Sequence, residues 1–145
     1  MEILIKNFNE LSLEELYQIL QLRSEVFVVE QDCVYQDIDG KDSDALHVIG
    51  IKDGNIIAYT RCFDKGFYFD EAAIGRVVVK ESERKNAYGH LILKASVEAI
   101  KERFKTDNIK LSAQQYLTNF YESHGFMQMG EGYLEDGIPH IAMIK

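Results

Sequence analysis

Apolar and polar residues alternate at the start of the chain, where Ile3 and Ile5 in "EILIKNF" mark a first strand. The period then changes. In "SLEELYQILQLRSEVF", Leu13, Leu16, Tyr17 and Leu20 fall on one face at helical spacing, and Ser12 with Glu15 three residues on has the form of a capping box. Two apolar runs flank Asp53-Gly54 in "HVIGIKDGNIIAYTRCF", a strong hairpin signal. "AAIGRVVV" reads as a further strand, followed by a short turn and a helix reaching about Phe104. "IKLSA" is a short strand, and "LTNFYESHG" a short helix that Gly125 can end. "FMQMGEGYL" and "PHIAMIK" close the chain as two strands around Glu135-Asp136-Gly137. The order β-α-β-β-β-α-β-α-β-β predicts an α/β protein with a mixed sheet. Hairpins supply its antiparallel pairs and strand-helix-strand units a parallel pair in the middle.

No linker, low-complexity run or internal repeat interrupts this order, and Pro139 is the single proline, so residues 1–145 are expected to form one domain. A formal net charge of -8 argues against nucleic acid or an anionic membrane as partner, because both require a basic footprint. An acidic surface attracts cations instead, amines among them. Cys33 and Cys62 lie far apart with no zinc spacing around them, which predicts free buried thiols in a reducing compartment. With no apolar stretch of signal-peptide or membrane-spanning length, a cytoplasmic location is expected. The most acidic segment, "EQDCVYQDIDGKDSDA", lacks the carboxylate spacing of an EF-hand loop, so no metal is expected. It reads first as a solvated loop, and second as an acidic border that draws in a cationic amine.

The turn before the second helix carries the chemistry. Arg84-Lys85-Asn86-Ala87-Tyr88-Gly89 places two cations and little side-chain bulk where a strand hands over to a helix. The first N–H groups of a helix lack intrahelical partners and sit at its positive end, so such a turn can hold an anion of diphosphate type. It contains neither a Walker loop nor a dinucleotide-binding glycine fingerprint. Read alone, the turn is equally a plain connection with solvated cations.

This turn resembles the acyl-CoA pyrophosphate loop of the GNAT N-acetyltransferases, Arg/Gln-x-x-Gly-x-Gly/Ala after a strand of hydrophobic-x-Val form. Val77-Val78-Val79 match the strand, Arg84 the leading residue and Gly89 the last small one, while Ala87 replaces the middle glycine. Asn119, Tyr121, Gly125 and Phe126 in "LTNFYESHGF" match the family's later Asn…Tyr…Gly-Phe segment. "LQLRSEVFVVEQDCVYQDIDGKD", "IGRVVV" and "YLEDGIPHIAM" are similar to its ElaA-like branch.

The resemblance implies an acyl-CoA N-acyltransferase fold with a mixed central sheet of about six or seven strands flanked by helices. It implies acetyl-CoA as co-substrate and transfer of its acetyl group to a primary amine by direct attack. The pyrophosphate would lie against the N–H groups of Asn86, Ala87, Tyr88, Gly89 and His90, with Arg84 and Lys85 supplying charge. Val77 and Val79 would expose backbone to the pantetheine arm, the Val79 N–H polarising the thioester. Asn119 would bond the arm, and Tyr121 would protonate the leaving sulfur. For the general base, Glu30, Glu71, His47, His140 and water stay open. The expected acceptor is a cationic small-molecule or peptide amine, and a homodimer is left open. The alternative is a non-catalytic acyl-CoA-binding module with a degenerate site.

Overall fold

Ser12 starts the first helix as its spacing requires. Its hydroxyl accepts from the Glu15 N–H at 3.0 Å, while its own N–H donates to the Glu15 carboxylate at 2.8 Å. In the computed structural model, which describes Met1–Lys145, strand β1 (Glu2–Asn7) precedes this helix, α1 (Leu13–Arg23). The chain then continues as a π-helical segment, Ser24–Glu30. The face of α1 turned to the sheet carries Ile19 and Leu22, extended by Val26, which pack on Ile49, Ile56, Tyr59 and Val78. The face anticipated from Leu13, Leu16, Tyr17 and Leu20 is therefore corrected. Leu13 is 89% and Tyr17 72% exposed, because the longer stripe that includes Ile19, Leu22 and Val26 buries more apolar surface.

Strands β2 (Leu46–Lys52), β3 (Asn55–Phe63) and β4 (Ala72–Val79) follow, then α2 (Tyr88–Phe104), β5 (Ile109–Gln114), the short α3 (Thr118–Glu122), β6 (Met127–Glu135) and β7 (Ile138–Ile144). Asp53-Gly54 and Asp136-Gly137 both take positive φ at each residue, the conformation that two-residue hairpins with right-handed twist demand. One seven-stranded sheet results, in the order β1-β2-β3-β4-β5-β7-β6. The element order, the mixed sheet and its flanking helices are as the sequence led one to expect. The main core lies between the sheet and α2, where Ile92, Leu93, Ala99 and Ile100 meet Val48, Ala58, Ile74 and Leu111.

The parallel pair β4–β5 shapes the site. It is joined only at Ala72↔Ile109 and Ala73↔Lys110, after which the two strands part. On its other side β4 stays paired with β3, but with a break in register between Tyr59 and Arg61. Arg76 sits in that irregularity with φ at 49°. A bulge of this kind bends its strand, and here the bend accompanies the divergence of β4 from β5.

The acidic segment after α1 corrects the expectation of a solvated loop. Asp37 and Asp42 are buried, and Arg23, itself fully buried, pairs with both at 2.9 and 2.8 Å. Arg61 bonds Asp39 at 2.8 Å and Asp42 at 3.0 Å, and Arg76 lies 2.7 Å from Asp37. Isolated buried charges are costly, so three arginines from α1, β3 and β4 tie this loop down as a unit.

Candidate active site

The opening between β4 and β5 leads into a cleft of about 220 Å³. From β4 it is lined by Ile74, Gly75, Arg76 and Val77, and from β5 by Leu111, Ser112 and Gln114. Phe27, Gln31, Cys33 and Tyr35 come from the segment after α1, Tyr121 from α3, and Tyr133, Glu135, Asp136 and His140 from the last hairpin.

Backbone geometry sets what β4 offers to this opening. The Lys80 N–H donates to the Ile57 carbonyl of β3 at 2.8 Å. Successive residues of an extended strand turn their amides to opposite sides, so the Val79 N–H points away from β3, toward the side where β5 has parted. Val77 follows the same alternation two residues earlier. Both valines are half-buried, their side chains packed against the main core while their backbone edge stays on the open side.

The loop after β4 is a short 3-10 turn, Glu81–Asn86, and Ala87 then takes φ 58° and ψ 24° immediately before α2. Alanine holds this left-handed conformation, which glycine adopts freely, at a cost of roughly 1 kcal/mol. Tyr88, Gly89 and His90 form the first turn of α2, where backbone N–H groups lack intrahelical partners. A Cβ at Gly89 would lie 3.4 Å from Phe120 of α3 and 3.9 Å from a methyl of Val79, ordinary van der Waals contact, so the start of the helix packs beside both without requiring glycine there. His90 is exposed and stacks on His124, with Nδ1 2.8 Å from the other ring's Nε2. Lys85 is exposed, and the Asn86 amide donates to Glu83 at 3.3 Å.

Arg84 is engaged. Its Nη1 and Nη2 donate to both oxygens of Glu30 at 2.6 and 2.9 Å, and its Nε donates to the Val79 carbonyl at 3.0 Å. The guanidinium therefore bridges the end of β4 to the end of the π-helical segment, which runs on into the cleft wall at Gln31 and Cys33.

Tyr121 is 95% buried, set edge-on to Phe120 and Phe126, and borders the cleft. Burial pushes its phenol pKa well above the ordinary value, so the proton stays on the oxygen at neutral pH. Asn119, two residues earlier on α3, is exposed.

The base candidates separate by their contacts. His47 is fully buried, with Nδ1 2.6 Å from the Tyr59 hydroxyl and Nε2 2.9 Å from the Asp42 carbonyl, and burial pushes its pKa down. Both nitrogens are thus used structurally. Glu30 is held by Arg84. Glu71 precedes the closed end of the β4–β5 split and does not line the cleft. His140 does line it, 7% exposed, with Nε2 3.2 Å from the Glu135 carboxylate and Nδ1 2.7 Å from the Ile138 carbonyl.

Sequence reasoning passed over Arg61, Arg76, Tyr133 and Glu135 as cleft residues. Their only local signal was a charged or aromatic side chain within a strand pattern, and the partners that bring them together lie far away in the chain. Of the cysteines, Cys62 is buried and free as expected. Cys33 is only half-buried, its thiol donating to the Asp136 carbonyl at 3.4 Å on the cleft wall.

The acetyltransferase (GNAT) domain family matches residues 9–145 of the chain. Protein ElaA of Escherichia coli (strain K12) is 42% identical over 139 residues, covering 94% of this chain and 91% of that protein. The crystal structure of Escherichia coli ElaA superposes with a TM-score of 0.91 at 39% identity, covering 100% of this chain and 99% of that one. An acyl-CoA N-acyltransferase from Pseudomonas aeruginosa superposes with a TM-score of 0.93, also at 39% identity, over 100% and 99% of the two chains.

Proposed function

This chain belongs to the acetyltransferase (GNAT) family, whose fold and domain point to acyl-CoA-dependent acyl transfer, and from that premise we propose an N-acetyltransferase that moves the acetyl group of acetyl-CoA to a primary amine by direct attack. The observation that carries the proposal is the split between β4 and β5, with the Val79 N–H turned into it and the buried Tyr121 bordering the same cleft. Acyl-CoA supplies an activated thioester carbonyl and a thiolate leaving group. The residues present fit such a co-substrate: β4 offers an unpaired backbone edge from Ile74 onward, and the Ala87 turn presents the free first-turn amides of α2.

In this reading the amides of Asn86 to His90 hold the diphosphate, with Arg84 and Lys85 supplying positive charge. The Val79 N–H donates to the thioester oxygen, most strongly as negative charge builds there. Tyr121 gives its proton to the departing sulfur. Burial in the same dry cleft raises both the Tyr121 phenol and the departing thiol above their ordinary values near 10 and 8.5, so the phenol stays the weaker acid and gives up its proton only as charge builds on the sulfur. Asn119, exposed on α3, bonds the arm between diphosphate and thioester in the same reading. The chain has no helix long and apolar enough to cross a membrane, and we place the reaction in the cytoplasm.

The test is thiol release from acetyl-CoA across a panel of primary amines, with wild type and Tyr121→Phe compared. General acid catalysis contributes about 10²–10⁴-fold. A loss in that range, with acetyl-CoA binding kept, supports an enzyme. Equal turnover by the two proteins removes Tyr121 from the chemistry, and binding without turnover by wild type favours a non-catalytic acyl-CoA module.

A further inference from the structure

We propose that Glu135 and His140 form the acceptor subsite of the cleft, binding a primary alkylammonium and taking its proton before attack. This rests on the acyl-transfer reading of the same cleft and names the missing base and the class of acceptor.

The pair is built by the last hairpin. The tight Asp136-Gly137 turn fixes Glu135 opposite Ile138 and Tyr133 opposite His140. Side chains two apart on a strand share a face, so Tyr133 and Glu135 flank the His140 ring on one side of the sheet. Tyr133 stacks on that ring, with centroids 6.2 Å apart and planes 22° from parallel, and is itself fixed by a hydroxyl contact with Ser112. Nδ1 of His140 faces the Ile138 carbonyl and Nε2 faces the Glu135 carboxylate. Both partners are acceptors only, so the ring satisfies both when each nitrogen carries a hydrogen.

No other cation pairs with Glu135, whose single ion partner is His140. Uncharged Gln114 of β5 lies opposite the histidine, and Asp136, whose backbone carbonyl accepts the Cys33 thiol, adds a second carboxylate to the same wall. The cations on the other side of the cleft, Arg61 and Arg76, are committed to Asp37, Asp39 and Asp42. Glu135 is thus a half-exposed carboxylate at the rim of a cleft whose walls combine Phe27, Phe63 and Leu111 with polar Gln31, Ser112 and Gln114. That combination suits an ammonium on an apolar stem.

The chemistry closes. A primary ammonium binds against the Glu135 carboxylate, beside a His140 Nε2 that carries no proton. One ammonium N–H then breaks, its proton passing to the bare Nε2. The freed nitrogen pair forms the C–N bond as the C–S bond breaks, and the sulfur takes the Tyr121 proton. The surplus proton on the new amide nitrogen returns to the Tyr121 oxygen through water. Ammonium and thioester become amide, thiol and one proton, which His140 releases. A quaternary ammonium has no proton to give and cannot react.

The experiment follows the side-chain ¹⁵N resonances of His140 in the full-length protein during titration with n-butylammonium chloride, and separately with tetramethylammonium chloride. Thermal melts with acetyl-CoA run alongside on each variant. We expect a saturable shift of the Nε2 resonance with n-butylammonium and none with tetramethylammonium. In Glu135→Gln the n-butylammonium affinity should fall about 10-fold or more while acetyl-CoA stabilisation persists. A simple hairpin clip would not distinguish the two cations. An unmoved resonance, or equal shifts with both cations, in protein that acetyl-CoA stabilises would overturn the subsite and leave the transferase reading standing. Failure of acetyl-CoA to stabilise wild type would overturn the transferase reading and the proton-transfer step with it.

Discussion

Arg23 is the cation on which the loop after α1 depends, and replacing it with methionine keeps its volume while removing its charge. In the native protein its Nε bonds Asp37 at 2.9 Å, Nη1 bonds Asp42 at 2.8 Å, and Nη2 bonds the Asp37 carbonyl at 2.9 Å. Removing one member of a buried ion pair costs about 3–5 kcal/mol, because the partner charge is left without compensation. Here each carboxylate retains a second cation. Arg76 lies 2.7 Å from Asp37 and Arg61 3.0 Å from Asp42, and the Asp37 carbonyl still accepts from Arg76 at 3.0 Å. The lower end of the range applies, about 3 kcal/mol. For a chain near 150 residues each kcal/mol moves the midpoint by roughly 2–4 °C, so Arg23→Met should melt about 6–12 °C below wild type at pH 7.

The pH dependence gives an independent check. Burial raises the Asp42 carboxyl, but bonds from Arg23 and Arg61 outweigh it, so its folded pKa lies below the ordinary value; Asp39 is lowered in the same way by Arg61. A depressed folded pKa stabilises above the unfolded value of about 4 and loses that contribution as pH falls through the folded value. Arg23→Met surrenders part of it, so the gap between wild type and variant should narrow as the pH drops below about 4. Melts followed by circular dichroism at pH 7 and pH 3 read both effects. A midpoint within about 2 °C of wild type at pH 7, or a gap unchanged at pH 3, would refute the view that this network holds the loop.

Other consequences follow from the cleft and its loop. Glu30→Gln frees Arg84 from a partly exposed pair worth up to about 1 kcal/mol, so CoA affinity measured by calorimetry should rise about 2- to 5-fold; weaker binding would count against Arg84 as a diphosphate contact. Burial pushes the Cys62 thiol up to about 12, whereas Cys33 lies half-buried on the cleft wall. Titration of native protein with an aromatic disulfide at pH 8 should therefore modify Cys33 alone, slowed by acetyl-CoA, with Cys62 reacting after denaturation; rapid reaction of both thiols in the native state would contradict the packing. Tyr121→Phe should lower turnover by about 10²–10⁴-fold without weakening acetyl-CoA binding, as the amine panel reads out.

Local patterns carried most of the fold. The Ser12 capping box, the two Asp-Gly hairpins and the valine strand before the Arg84 turn each encode their element within a few residues, and each formed as expected. What local pattern could not carry was pairing between distant residues. The acidic run looked solvated because its three arginines come from α1, β3 and β4, and no local feature of Arg61 or Arg76 announces a carboxylate partner. The positive φ of Arg76 likewise belongs to the break in register between β3 and β4, not to any preference of arginine. Glu135 and His140 lie close together in sequence, yet only the register of the last hairpin sets the carboxylate against the ring.

The most direct measurement of the central claim is a thermal-shift titration with acetyl-CoA, free CoA and ATP in parallel. A ligand at 100 times its dissociation constant adds about 2.7 kcal/mol to the native state, which for a chain of this size moves the midpoint by roughly 5–10 °C. The account predicts that shift with both CoA compounds and none with ATP. Correctly folded protein that acetyl-CoA leaves unshifted at millimolar concentration would contradict it.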